Sequence, residues 1–192
     1  MITTNIAFAR AKHLVCETFI TKAVDGVNVR DFIWECPLGV TQVEVELWGA
    51  GGHGGSSAIG SDMATGGRAG QKLVQTVDVV QGEKYPIHIG MAARKKSENS
   101  GNGEASTAFS FVAPGGECGK KMSENPEYTQ CYGEAGYQLG GYTSNDDGVL
   151  HAPVTNGGIA AGGHGEVQSS SDSGYHSSTM GGDGICIIRY YI

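Results

Sequence analysis

Three glycines at 49, 51 and 54 have the spacing of a dinucleotide-binding loop, and they follow directly on the strand-like run Val43-Glu-Val-Glu-Leu-Trp48. In such a loop, glycine lets the backbone approach a pyrophosphate held at the N-terminus of the next helix. Here no helix is predicted to follow. Residues 55–70 continue Gly-Ser-Ser-Ala-Ile-Gly-Ser-Asp-Met-Ala-Thr-Gly-Gly-Arg-Ala-Gly. Each interior glycine costs a helix about 1 kcal/mol relative to alanine, serine and aspartate compete for the backbone, and no apolar 3.6-residue period is present. Asp78 lies near the place of a ribose-binding acid but does not by itself restore the cofactor reading. Gly49, Gly51, Gly52, Gly54 and Gly55 are therefore expected to be structural glycine turns at the exit from a strand, with no cofactor. Glycines at i, i+3 would line the packing edges of polyproline-II helices. Gly49, Gly52 and Gly55 obey this spacing, as do Gly162/Gly165 and Gly181/Gly184, although clustering of glycine alone also produces such spacings.

His53 and His164 occupy matching Gly-Gly-His-Gly contexts. Stacked loops would bring them together as a metal pair, but no Asp or Cys repeats at a ligand spacing beside both. The favoured reading is two exposed histidines and no metal. Asp172, His176 and Asp183 lie in a serine-rich stretch without a Gly-x-Ser-x-Gly elbow, so no catalytic residue is expected. Tyr128, Tyr132, Tyr137, Tyr142 and Tyr175 all fall in Gly/Ser/Asn segments. That composition is typical of adaptable recognition surfaces, where tyrosine supplies contact area with few rotors. The same rings would equally serve to cover a glycine bundle. The five tyrosines, with His53 and His164, are the receptor-contact candidates.

The elements that must position these residues are strands. The chain has 192 residues, 32 of them glycine and only 5 proline, with 39% hydrophobic residues gathered into strand-like runs. This describes a folded β core carrying polar glycine loops rather than collagen or uniform disorder. The net charge of −7, with Arg94-Lys95-Lys96 as the one basic cluster, argues against a nucleic-acid partner. No apolar run approaches about 18 residues, so no membrane insertion is expected. The N-terminus lacks a signal-peptide core. Five scattered cysteines without a C-x-x-C pair suit a reducing compartment, and a Cys118–Cys131 bridge is not expected.

Along the chain, residues 1–13 carry a helical spacing at Ala7, Ala11, Leu14 and Val15. Leu14–Thr21 and Val27–Cys36 are predicted to pair as a hairpin around Val24-Asp25-Gly26. Val43, Val45 and Leu47 face a core, and Glu44, Glu46 and Trp48 a largely solvated surface. A strand is predicted over Gln71–Val80, with Leu73, Val77 and Val79 inward. Tyr85, Ile87 and Ile89 mark the next strand, which Pro86 assigns to a sheet edge. Ala105–Ala113 is read as one further strand. Residues 115–184 are nearly free of aliphatic runs, and Ile185–Ile192 closes the chain as a strong strand, making the preceding region an insertion between core strands. The fold class is all-β.

This order of parts resembles a known family. The carrying segments are Cys36-Pro-Leu-Gly-Val-Thr-Gln-Val-Glu-Val-Glu-Leu-Trp-Gly-Ala-Gly-Gly, then Gly66-Gly-Arg-Ala-Gly70, Gln81-Gly-Glu-Lys-Tyr-Pro-Ile-His-Ile-Gly90, Ser106-Thr-Ala-Phe109 with Gly115-Gly116, and the terminal Gly-Asp-Gly-Ile-Cys-Ile-Ile-Arg-Tyr strand. Together they resemble the glycine-rich β domain of bacteriophage tail-fibre and other virion-appendage proteins. The layout is also similar to the glycine-rich ligand-binding region of anaplastic-lymphoma-type receptor kinases. The resemblance covers roughly residues 27–192, with residues 1–26 as an N-terminal arm or attachment segment that includes a first strand. It implies a β-sandwich of jelly-roll or TNF-like type whose glycine loops bundle as polyproline-II helices. It further implies a homotrimeric virion protein near the receptor-binding end, whose partners are other virion proteins and a host cell-surface receptor. Its first glycine stretch departs from the family in being interrupted over Ser56–Thr65. The expected function is a non-enzymatic phage structural protein (tail fibre, tail tip or surface decoration), assembled in the host cytoplasm. An extracellular ligand-binding module of a signalling protein is the second reading.

Overall fold

A computed structural model describes residues 12–24, 26–55, 65–93, 101–120, 143–144, 150–151, 159–162 and 180–192. Within them the chain forms β1 (Leu14–Phe19), β2 (Lys22–Val24), β3 (Val27–Val29), β4 (Asp31–Glu35), β5 (Gln42–Trp48), β6 (Lys72–Asp78), β7 (Lys84–His88), β8 (Ser106–Ala108), β9 (Phe111–Ala113), β10 (Thr143–Ser144), β11 (Leu150–His151) and β12 (Ile185–Tyr191). The described residues contain no helix. Two four-stranded sheets, ordered β1-β12-β5-β6 and β4-β7-β8-β9, are antiparallel throughout and pack face to face as a sandwich. The pairs β2/β3 and β10/β11 stand apart as short ladders.

The core follows from alternation. Val43, Val45 and Leu47 of β5, Cys186, Ile188 and Tyr190 of β12, and Trp34, Ile87, Ala108 and Ala113 of the opposite sheet all converge on it. Burying each large aliphatic there contributes about 1.5–3 kcal/mol. Trp34 centres an aromatic group, with ring centroids 5.8 Å from Tyr85, 5.8 Å from Phe109 and 5.7 Å from Tyr190. Glu17 of β1 reaches across the sandwich, where its Oε1 accepts from Trp34 Nε1 (2.9 Å) and Tyr190 Oη (2.6 Å). One carboxylate thus satisfies two buried donors and stitches the sheets together.

Four expectations change. The predicted N-terminal hairpin exists only as its tip: β2 pairs with β3, while β1 pairs with β12 and β4 with β7. Each long strand finds a full-length partner of complementary face elsewhere. Residues 105–113 are a hairpin, β8/β9, turning at Phe109 with φ of 57°. No glycine or asparagine announces this turn, and the Phe109 ring stacked 4.6 Å from Tyr85 holds the unusual backbone in place. The strand carrying Pro86 is internal, since β7 lies between β4 and β8. Pro86 is tolerated because β8 pairs only with Ile87 and His88, and the ladder ends beside the proline. Finally, the second face of β5 is not wholly solvated, because Glu46 is buried.

Candidate functional site

At Trp48 the chain leaves the sandwich and enters extended segments built on the glycines. Residues 49–55 run through the middle. Gly49 N–H donates to Gln71 O (3.1 Å), Gly52 N–H to Arg68 O (2.9 Å) and Gly55 N–H to Thr65 O (3.0 Å). Ala50 N–H donates to Glu104 O (3.0 Å) and His53 N–H to Gly101 O (2.7 Å), while Gly51 N–H donates to Gly182 O (2.8 Å). Successive amides therefore address three neighbouring segments in rotation and return to the same neighbour every third residue. That repeat is the one of a polyproline-II helix, which has no internal hydrogen bonds and offers every backbone group to its surroundings. A fourth segment, residues 114–120, donates into the middle from Gly116 N–H to Ala50 O and from Gly119 N–H to His53 O, both 2.8 Å. The same segment accepts from Thr65, Arg68 and Gln71 through Lys120, Glu117 and Pro114. The bundle is thus held by backbone bonds running between segments.

Glycine is needed because the segments touch. A Cβ on Gly51 would lie 1.7 Å from Ala161 O, on Gly49 2.0 Å from Pro114 O, and on Gly52 2.0 Å from Glu117 O. Any side chain there would occupy the space of a neighbouring carbonyl. The expectation of glycine turns is corrected accordingly. Gly49, Gly51, Gly52, Gly54 and Gly55 lie in an extended run, and among the described residues the glycines with positive φ are Gly26, Gly39 and Gly82, in loops between strands. Period-three spacing was the right signal for Gly49, Gly52 and Gly55. Gly67/Gly70 and Gly116/Gly119 carry the matching spacing in the partner segments, a signal of the same kind.

Side chains close the remaining gaps. Thr65, fully buried, accepts Lys120 N–H on Oγ1 at 2.9 Å. Asn102 Oδ1 accepts Cys118 N–H at 2.8 Å, and Asp183 Oδ1 accepts Ala92 N–H at 2.8 Å. Where the bundle meets β12, Ser106 Oγ accepts Gly90 N–H at 2.9 Å. Beside this junction, on the outer face of β5, the Glu46 carboxylate meets Trp48 Nε1 (3.0 Å), Arg189 (2.8 Å) and Lys72 (3.0 Å). Burial works to raise its pKa, but these three donors outweigh it and the net shift is downward. In the core, burial pushes the Cys186 thiol up to about 12 and raises Cys36, so neither is a nucleophile at neutral pH. Burial and the hydrogen bond to Glu17 push the Tyr190 phenol up to about 12.

His53 is 5% exposed, with its Nδ1 donating to Gly54 O at 2.6 Å. The sequence reading placed it on the surface, but the bundle encloses it, so its ring is a packing element rather than a contact for a receptor. His164, Tyr128, Tyr132, Tyr137, Tyr142 and Tyr175 lie outside the described residues, as does Cys131; Cys118 is a free thiol. Among the described residues no three His, Cys, Asp or Glu side chains are grouped to hold a metal ion.

What the bundle does fix is where the intervening chain departs and returns. Gly55 and Thr65 are bonded to each other, and Lys120 to Thr65. Gly101 is bonded to His53, and a Cβ on Gly162 would meet Gly67 O at 1.8 Å. The described residues that border the intervening stretches, Gly55, Thr65, Gly101, Lys120 and Gly162, are therefore all held within the bundle. A two-sheet sandwich crowned by interlocked glycine segments defines the class of fold. The chain belongs to the glycine-rich domain family, which it matches over residues 27–174. No curated protein matches it.

Proposed function

We propose that this protein is a non-enzymatic virion component, a phage tail-fibre, tail-tip or surface-decoration subunit whose displayed segments contact a host-cell receptor. The observation that carries the reading is that Gly55, Thr65, Gly101 and Lys120, which border the segments between bundle positions, are held by backbone bonds of the bundle. Those segments hold the Tyr/Ser/Gly/Asn-rich sequence, while the bundle bonds through its own backbone. A base of this kind holds recognition residues at fixed roots without drawing on them for stability. The virion assignment is further supported by the resemblance in order of parts to phage appendage domains.

Two measurements test it. Mass spectrometry of purified particles from a lysate of the producing host detects the chain at a stoichiometry of structural proteins; its absence from particles refutes the virion role. The double substitution Tyr137→Ser/Tyr142→Ser lowers adsorption to host cells by tenfold or more with melting unchanged. Full adsorption by a folded double variant refutes these two tyrosines as contacts.

A further inference from the structure

Of the four edge strands of the two sheets, β1 alone lacks the features that keep an edge from pairing. Such edges are blunted by charges, by proline or by shortness. The outward side chains of β4 include Asp31 and Glu35, those of β6 include Lys72 and Asp78, and β9 is three residues long. On β1 the corresponding side chains are Leu14, Cys16 and Thr18, uncharged and exposed. Glu17, the inward charge on this strand, is already engaged by Trp34 and Tyr190 and so does not guard the edge.

The register shows which backbone groups are open. His13 and Ile192 exchange both hydrogen bonds, at 2.9 and 3.0 Å, so odd-numbered residues of β1 bond to β12. The even-numbered residues Leu14, Cys16 and Thr18 aim N–H and C=O away from the sheet, and among the described residues nothing meets them. Leu14 and Tyr191 sit opposite one another beside this edge, each 58% exposed.

We propose that the edge of β1 is the docking surface for a second copy of this chain, paired antiparallel about a two-fold axis through Cys16. The pattern is self-complementary. Leu14 lies opposite Thr18 of the second copy, Cys16 opposite Cys16, and the open donors of one strand meet the open acceptors of the other. The two sandwiches then share one continuous sheet, and the exposed Leu14 and Tyr191 flank the joint. The closed pair takes the place of the three-fold assembly that the resemblance implies, and it is independent of the proposed virion role. In a bonded antiparallel pair the two Cα atoms lie about 5.5 Å apart, within the range that a disulfide spans.

The thiols supply the probe. Light scattering on the full chain at about 100 µM in reductant gives twice the chain mass. Thr18→Pro removes only an edge-facing N–H, which a strand tolerates, and Cys16→Lys sets two ammonium groups against each other at the axis. Each halves the mass while circular dichroism keeps the strand signal. Diamide, which takes two electrons and two protons from two thiols, links wild-type chains through a Cys16–Cys16 peptide found by mass spectrometry. A single-chain or triple-chain mass for the wild type overturns the proposal. So does a pair that survives in whichever of the two variants folds, or an oxidised pair linked only through other cysteines.

Discussion

Replacing Gly51 by alanine tests whether the glycine bundle is packed as tightly as its bonds suggest. The added methyl lies 1.7 Å from Ala161 O, and ordinary contact begins near 3.4 Å, so the neighbouring backbone must retreat by roughly 1.7 Å. No rotamer relieves this, because the obstacle is a carbonyl. Three bonds depend on the present spacing: Gly51 N–H to Gly182 O, Gly182 N–H to Ala161 O, and Gly70 N–H to Ala160 O, each 2.8 Å. At about 1 kcal/mol each, their loss costs about 3 kcal/mol. In a domain of this size that lowers the melting temperature by roughly 6–12 °C. The control is Gly39→Ala, where φ is +82° but nothing lies within 4 Å of the new methyl. Backbone strain alone there costs about 1–2 kcal/mol. Thermal and urea unfolding followed by circular dichroism read both. If Gly51→Ala melts within 2 °C of wild type or above Gly39→Ala, the close-packed bundle is wrong.

Further outcomes follow from the sandwich. Glu17→Leu strands the Trp34 and Tyr190 donors and destabilises by about 2–4 kcal/mol, whereas Tyr190→Phe costs about 1 kcal/mol; a Glu17→Leu urea midpoint equal to wild type would falsify the stitching role. Glu46 has a depressed pKa in the fold, so its contribution is fully present above about pH 4.5 and is lost as pH falls through the folded value. Acid unfolding of Glu46→Gln should therefore have a shallower dependence on pH below 4.5 than wild type, and parallel curves would remove the claim. Tyr190 is raised from 10.0 to about 12, so the stability it confers is present below pH 10 and declines between pH 10 and 12; Tyr190→Phe abolishes that component of the decline. Iodoacetamide under native conditions and in reductant should label Cys16 and leave Cys36 and Cys186 untouched, as mapped by peptide mass; modification of Cys186 in folded protein contradicts its burial.

The strands could be read from the sequence because β alternation is local. Val43, Val45 and Leu47, and Ile87 and Ile89, announce their inward face within a few residues, and the structure buries each of them. What could not be read is which strand meets which. The pairing of β1 with β12 joins opposite ends of the described chain, and no turn chemistry marks it. The hairpin at Phe109 was missed because its positive φ is held by tertiary stacking on Tyr85 instead of by a permissive residue. His53 shows a similar failure at the candidate site. Its glycine neighbours suggest a polar surface loop, yet those glycines let other backbones close over the ring. Glu46 looked like a solvated residue by alternation, and only the sheet order places Lys72 and Arg189 on either side of it.

The rotation of bonds around residues 49–55 also orders events during synthesis. Gly51 waits for Gly182, and Ala50 waits for Glu104 and Gly116. Until residues 180–184 have left the ribosome, the central segment has one side without a partner, and β5 has no β12 beside it. The early strands then emerge as open-edged hairpins, and the structure locks only when a late piece of chain threads its place. Such long-range closure predicts slow folding, and it makes the nascent chain, rather than the finished molecule, the form most in need of a chaperone.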